Sequence, residues 1–124
     1  MTQGIILFAH GAADPRWAAP FEAVAERVRT LSPGSAVRLS YLERMAPDLP
    51  TAGAELAAAG CSAVTVLPLF LGTGGHVRRD LPLLIDALRA AHPQVRWKLE
   101  PAAGEHALVA EALAQVAAAS LRAP

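Results

Sequence analysis

The chain has 124 residues, and its eleven basic residues balance eleven acidic ones. This length fits one domain with its own core, and a hydrophobic content of 53% excludes an intrinsically disordered chain. The even charge balance excludes a general attraction to nucleic acid or to an anionic membrane, and the single cysteine, Cys61, excludes a disulfide framework and a cysteine-based zinc site.

The apolar run near the N-terminus covers only residues 5–9 and follows no basic region. It is too short for a signal peptide or a membrane span. One lone cysteine suits a reducing compartment. We therefore expect a single domain over residues 1–124, located in the cytoplasm, with neither a membrane nor a nucleic-acid partner.

Four strand-like runs alternate with four helix-like segments. Continuous or alternating apolar residues predict strands over residues 4–9, 37–42, 63–67 and 95–99. Helical spacing of apolar residues, with Pro and Gly at the ends, predicts helices over residues 17–31, 47–59, 79–91 and 105–121. This alternation predicts a three-layer α/β sandwich with a four-stranded parallel sheet of flavodoxin-like order 2-1-3-4. Its alanine-rich helices are expected to pack closely on the sheet.

Three residues of metal-ligand type follow the carboxyl ends of predicted strands, where open parallel sheets bind ligands. His10 ends the first strand, Glu43 follows the second, and His76 lies in the loop after the third. Because neighbouring strands lie about 4.8 Å apart, the three side chains can reach one point. Two imidazoles and a carboxylate suit a divalent ion such as Co, Ni, Fe or Zn and leave positions open for a substrate. Taken singly, a histidine here is also explained as a hydrogen-bonded turn residue, and Glu43 as a surface partner of Arg44 or Arg38. The coincidence of all three on one edge favours the metal site.

A glycine-rich loop, residues 72–76, opens the third helix. Its glycines allow a backbone to approach a flat, bulky ligand, and a cluster of arginines with a helix N-terminus favours a polycarboxylate or a phosphate. The residues assigned to ligand binding are Gly74, Gly75, Arg78, Arg79, Arg16 and Arg44. A phosphate-binding module is the rival interpretation, although the loop lacks the P-loop lysine and the dinucleotide glycine spacing.

Three segments resemble a known family. Residues 10–16 (His-Gly-Ala-Ala-Asp-Pro-Arg) resemble its His-Gly-Ser-Arg-Asp-Pro start, and residues 41–47 (Tyr-Leu-Glu-Arg-Met-Ala-Pro) resemble its Phe-Leu-Glu-x-x-x-Pro segment. Residues 68–82 are similar almost throughout to its Pro-Leu-Phe-Leu-x-x-Gly-Gly-His-x-x-x-Asp-x-Pro segment. The family is the short-form sirohydrochlorin cobaltochelatases, class II chelatases of the CbiX type.

The resemblance implies a lyase of the metal chelatase type. Such an enzyme inserts a divalent ion into sirohydrochlorin without ATP or an organic cofactor, in cobalamin- or sirohaem-type tetrapyrrole biosynthesis. Co²⁺ is the favoured ion, with Ni²⁺ and Fe²⁺ as alternatives. The resemblance carries the catalytic histidines onto His10 and His76 and the accompanying metal-binding carboxylate onto Glu43, and it implies a homodimer with the cleft between subunits. The sequence departs from the family at Ala12 and Ala13, where Ser and Arg are common. A non-catalytic metal or tetrapyrrole carrier using the same cleft is the alternative.

Overall fold

A parallel four-stranded sheet forms the centre of the computed structural model, which describes residues 2–122. The strands are β1 (Thr2–Ala9), β2 (Ala36–Tyr41), β3 (Cys61–Pro68) and β4 (Arg96–Leu99). The helices are α1 (Ala19–Leu31), α2 (Leu49–Ala58), α3 (Gly75–Ala91) and α4 (Ala107–Arg122), with 3-10 turns over Pro15–Ala18 and Ala103–Glu105. The strand order β2-β1-β3-β4 confirms the predicted fold class and topology.

The strand β1 lies at the centre of the sheet because its side chains are apolar on both faces. Ile6 and Phe8 point into the main core, which α2 and α3 cover, whereas Leu7 points to the opposite face, under α1. The α3 residues that enter the main core follow helical spacing: Leu81, Ile85 and Leu88. Fully burying one such side chain stabilises the fold by about 1.5–3 kcal/mol, so this core holds the carboxyl edge of the sheet in place.

The last helix stands away from the sheet. Its predicted start at residue 105 falls in the 3-10 turn Ala103–Glu105, and α4 begins at Ala107 without burying a single residue. On the second face of the sheet α1 packs over β1 and β2, and within residues 2–122 no helix lies on β3 and β4 there. The expectation that every alanine-rich helix packs on the sheet is therefore wrong for α4.

None of the helices in the described part of the chain combines the length and the apolarity that crossing a bilayer requires.

Candidate metal site and ligand cleft

Two of the predicted metal ligands, His10 and Glu43, meet at the carboxyl edge of the sheet. Beyond the strand ends, the backbone N–H of Leu42 donates to the Ala9 carbonyl at 2.9 Å and that of Glu43 to the His10 carbonyl at 3.1 Å. This extended pairing places His10 Nε2 3.2 Å from Glu43 Oε1, with both side chains about half exposed (53% and 55%). An imidazole and a carboxylate at this distance can share a proton or bind one ion together.

Gly11 allows this close approach. Its φ of +94° lies in the left-handed region, and a Cβ at this position would lie only 1.8 Å from the Glu43 carbonyl oxygen. A side chain at residue 11 would therefore push the segments of His10 and Glu43 apart. Gly11 was not among the predicted site residues. The strand order predicts that the ends of β1 and β2 meet, but the close backbone approach at residue 11 depends on its φ, which the sequence pattern does not give.

The segment after β3 begins beside His10. The Leu69 N–H donates to the Phe8 carbonyl at 2.8 Å, which brings the Phe70 ring edge-on to the His10 imidazole with centroids 6.3 Å apart. Phe70 was not among the predicted site residues. Its apolar character at a strand end indicates core packing as readily as contact with a site.

His76 lies in the first turn of α3, not in a loop. Gly74 is the N-cap residue and its carbonyl accepts the Arg78 N–H at 2.9 Å, so the predicted helix start at residue 79 is wrong by four residues. Glycine is a poor helix former, but the first turn has no intrahelical N–H bonds to lose. His76 is exposed, and within residues 2–122 no three His, Cys, Asp or Glu side chains lie close enough to hold one metal ion. The structure thus brings together two of the three predicted metal ligands.

The arginine after the first strand is already paired. The Arg16 guanidinium donates to both Asp14 carboxylate oxygens, at 2.7 Å to Oδ2 through one terminal nitrogen and at 3.1–3.2 Å to both through Nε. This contact raises the pKa of Arg16 and, together with the Arg16 backbone N–H, lowers the pKa of Asp14. A ligand carboxylate that binds the Arg16 guanidinium would therefore have to compete with Asp14 for its N–H donors.

The other predicted arginines take different positions. Arg78 donates to Thr73 Oγ1 at 3.4 Å and lines, with Glu100 and Glu105, a pocket of about 240 Å³ beside the first turn of α3. Arg79 is exposed on the same turn. Arg44 follows Glu43 with a φ of +66°, which costs a non-glycine residue on the order of 1–2 kcal/mol. The loop that imposes this conformation is closed by the Tyr41 N–H donating to the Pro47 carbonyl at 2.9 Å.

The turn before α4 packs on the loop that carries the glycines. The Gly104 N–H donates to the Phe70 carbonyl at 2.8 Å, and a Cβ on Gly104 would lie 1.8 Å from the Leu71 carbonyl oxygen. No sequence motif signals this contact, because the two segments are remote in the chain. It joins the base of α4 to the segment that leads to His76.

The fold and these residues define an α/β protein whose sheet edge offers an imidazole–carboxylate pair beside a glycine-rich helix start and several guanidinium groups. The family model of CbiX matches residues 4–120, and the chain belongs to the CbiX family. The resemblance stated from the sequence is thereby confirmed.

Individual relatives agree with this assignment. The chain is 35% identical to a sirohydrochlorin cobaltochelatase from Saccharolobus solfataricus over 82 residues, 66% of this chain and 62% of the relative. It matches the crystal structure of a CbiX protein from Marinobacter aquaeolei VT8 with a TM-score of 0.85 and 33% identity, covering 97% of this chain and 98% of that one. It also matches SirB from Bacillus subtilis with Fe³⁺ (TM-score 0.71, 25% identity), covering 82% of this chain and 40% of that one. The chain spans 57–62% of the length of the curated relatives it matches first.

Proposed function

We propose that this chain is an ATP-independent metal chelatase that inserts a divalent ion into sirohydrochlorin. The observation that carries the proposal is the His10–Glu43 contact of 3.2 Å at the carboxyl edge of the sheet in a CbiX family member. Relatives named sirohydrochlorin cobaltochelatase support Co²⁺ as the first ion to test, with Ni²⁺ and Fe²⁺ next. The metal is a substrate in this proposal, and no organic cofactor takes part.

For metal insertion the site has to perform two tasks. The ion must be delivered to the macrocycle, and two pyrrole N–H protons must be removed. Imidazole performs both tasks near neutral pH, as a ligand and as a base. We assign ion binding to His10, His76 and Glu43. We assign the acceptance of the two pyrrole protons to His10 and His76, one each, after the ion has left their imidazoles.

The cationic and glycine residues complete the proposed cleft. The macrocycle carries carboxylates, and guanidinium groups bind carboxylates through paired hydrogen bonds. Gly74 and Gly75 leave room for a flat ligand beside the helix start. The arginines proposed to bind the carboxylates are Arg78, Arg79, Arg44 and Arg16.

The proposal includes a cytoplasmic homodimer with the cleft between subunits. It is supported by the match with 40% of the SirB chain, because two copies of the short chain would supply about the same number of elements as one longer chain.

Anaerobic absorption spectroscopy of sirohydrochlorin with Co²⁺ tests the activity. Catalytic amounts of the wild type are expected to accelerate the spectral shift, and His10→Ala and His76→Ala are each expected to slow it by about 10²-fold or more, the usual contribution of an acid–base group. His92→Ala is the matched control, because His92 ends α3 beside Trp97, with ring centroids 6.0 Å apart, and should keep the rate.

The other outcomes are equally decisive. A shift that is stoichiometric with protein and shows no turnover identifies a metal or tetrapyrrole carrier. Ligand binding that is lost with Arg78→Ala and Arg79→Ala but is indifferent to His10→Ala identifies a phosphate-binding module. A wild type that leaves the spontaneous rate unchanged contradicts the proposal.

A further inference from the structure

The imidazole of His10 lies between two neighbouring strand ends and contacts a side chain from each. On the β2 side, its Nε2 lies 3.2 Å from Glu43 Oε1. On the β3 side, its ring meets the ring of Phe70 at a centroid distance of 6.3 Å and an interplanar angle of 66°. The carboxylate has a role in the proposed metal insertion, whereas the phenyl ring has none.

Strand register brings Phe70 to this position. In the parallel pairing of β1 with β3, Phe8 lies opposite Pro68, and just beyond the strand the Leu69 N–H donates to the Phe8 carbonyl at 2.8 Å. His10 and Phe70 follow two residues further along the same two segments. Because side chains alternate between the faces of a sheet, His10 shares a face with Phe8, and cross-strand neighbours on one face touch.

Phe70 is itself held in place from several directions. Its ring packs at the edge of the main core on the ring of Phe8, which is 1% exposed, at a centroid distance of 6.0 Å. The residue before it is hydrogen-bonded to β1, and its own carbonyl accepts the Gly104 N–H at 2.8 Å. A half-buried ring fixed in this way forms a rigid wall for the imidazole beside it.

The contact with Glu43 is too weak to fix the imidazole by itself. Both side chains are about half exposed, and pairs of this kind contribute little because water competes and both side chains lose rotational freedom. An edge-on aromatic pair favours its own arrangement over the alternatives by about two- to tenfold. Glu43 and Phe70 therefore restrict the His10 ring together, each from one of the strands that flank β1.

We propose that Phe70 is a positioning residue for metal insertion, which holds the His10 imidazole in the rotamer that directs Nε2 towards Glu43. Phe70 touches neither the ion nor the pyrrole nitrogens in this arrangement. It keeps the imidazole pre-organised, so that the ion leaves and the pyrrole proton arrives at a side chain of fixed orientation. The kinetic consequence rests on the proposed function, but the rotamer of His10 can be measured without any substrate.

Nuclear magnetic resonance of the metal-free protein tests the positioning directly. The three-bond couplings between the Hα and Hβ protons of His10 lie at the ends of their range in a single rotamer and take intermediate values when rotamers exchange. The wild type and Phe70→Tyr are expected to show a single rotamer. Phe70→Leu, which keeps an apolar side chain but removes the ring, is expected to show exchange.

Phe21→Leu is the matched control. It also removes a half-buried phenyl ring, but this ring packs on Trp17, with centroids 4.5 Å apart, and should leave the His10 couplings unchanged. Exchange in the wild type, a single His10 rotamer in Phe70→Leu, or exchange in Phe21→Leu overturns the proposal. Circular dichroism establishes that the variants are folded, and Phe70→Met, which keeps more of the lost volume, replaces Phe70→Leu if that variant unfolds.

The steady-state kinetics of cobalt insertion test the consequence for the reaction. Phe70→Leu is expected to lower kcat about tenfold and to leave KM for sirohydrochlorin unchanged, because it disturbs the orientation of His10 and not the binding of the macrocycle. Phe70→Tyr should restore most of kcat, and Phe21→Leu should keep both constants. A raised KM at unchanged kcat would identify Phe70 as a contact of the macrocycle and overturn its positioning role.

The two measurements separate this inference from the chelatase activity. A single His10 rotamer that is lost in Phe70→Leu, in a wild type that inserts no cobalt, refutes the chelatase and retains the positioning. An active wild type whose His10 rotamer and kcat both survive Phe70→Leu refutes the positioning and retains the chelatase.

Discussion

At the scale of single residues, the candidate site depends on a glycine as much as on its ligands. Gly11→Ala places a Cβ 1.8 Å from the Glu43 carbonyl oxygen at a φ of +94°. We expect it to lower the free energy of unfolding by about 1–3 kcal/mol and to reduce metal insertion by separating His10 from Glu43. Urea unfolding and the cobalt assay measure the two effects.

Gly34→Ala is the control for this substitution. No atom lies within 4 Å of a Cβ built on Gly34, so its stability should change by no more than about 0.5 kcal/mol. Equal effects of the two substitutions, or full activity of Gly11→Ala, would show that the contact between residue 11 and Glu43 does not hold the site together.

At the scale of elements, α2 provides a test of helix capping. The Asp48 carboxylate accepts the Thr51 N–H at 2.9 Å. Hydrogen bonding by the Thr51 side chain, and then by this backbone N–H, lowers the pKa of Asp48. Because the pKa is lower in the folded state, the ionised Asp48 carboxylate adds to the free energy of unfolding at pH values above its ordinary pKa. This stabilisation is lost as the pH falls through the lowered pKa. Asp48→Ala is expected to cost about 1 kcal/mol at neutral pH.

Asp48→Asn makes the pH dependence specific. Asparagine caps a helix about as well as aspartate but does not titrate. The free energy of unfolding of the Asp48→Asn variant should therefore fall less than that of the wild type between about pH 5 and about pH 2. Urea unfolding at several pH values measures this difference. Parallel stability curves for the wild type and Asp48→Asn would rule out a contribution from the Asp48 charge.

The strands and their order could be predicted because burial on both faces leaves a continuous apolar run, as in β1, and because the connections are short and right-handed. The start of α3 could not be predicted, because Gly74 and Gly75 obscure a first turn whose N–H groups need no intrahelical partner. The position of α4 could not be predicted either. Its apolar spacing predicts a side suited to burial, but the structure of residues 2–122 buries none of α4.

The candidate site, like the fold, could be predicted only in part. His10 and Glu43 meet because strand register brings neighbouring strand ends together, a consequence that sequence spacing contains. The position of His76 depends on where a helix begins, and the Asp14 contact of Arg16 depends on side-chain rotamers. Neither can be derived from spacing alone.

At the scale of the whole molecule, α4 adds little apolar burial to the chain that carries it, because it buries none of its residues and leaves Leu113 and Val116 exposed. In the homodimer of the proposed function, any part of α4 that the second copy covers would be covered according to mass action. Each tenfold rise in concentration above the dissociation constant would then add about 1.4 kcal/mol per dimer to the folded state. Dilution would return that apolar surface to water, so the amount of protein in the cell would enter its stability.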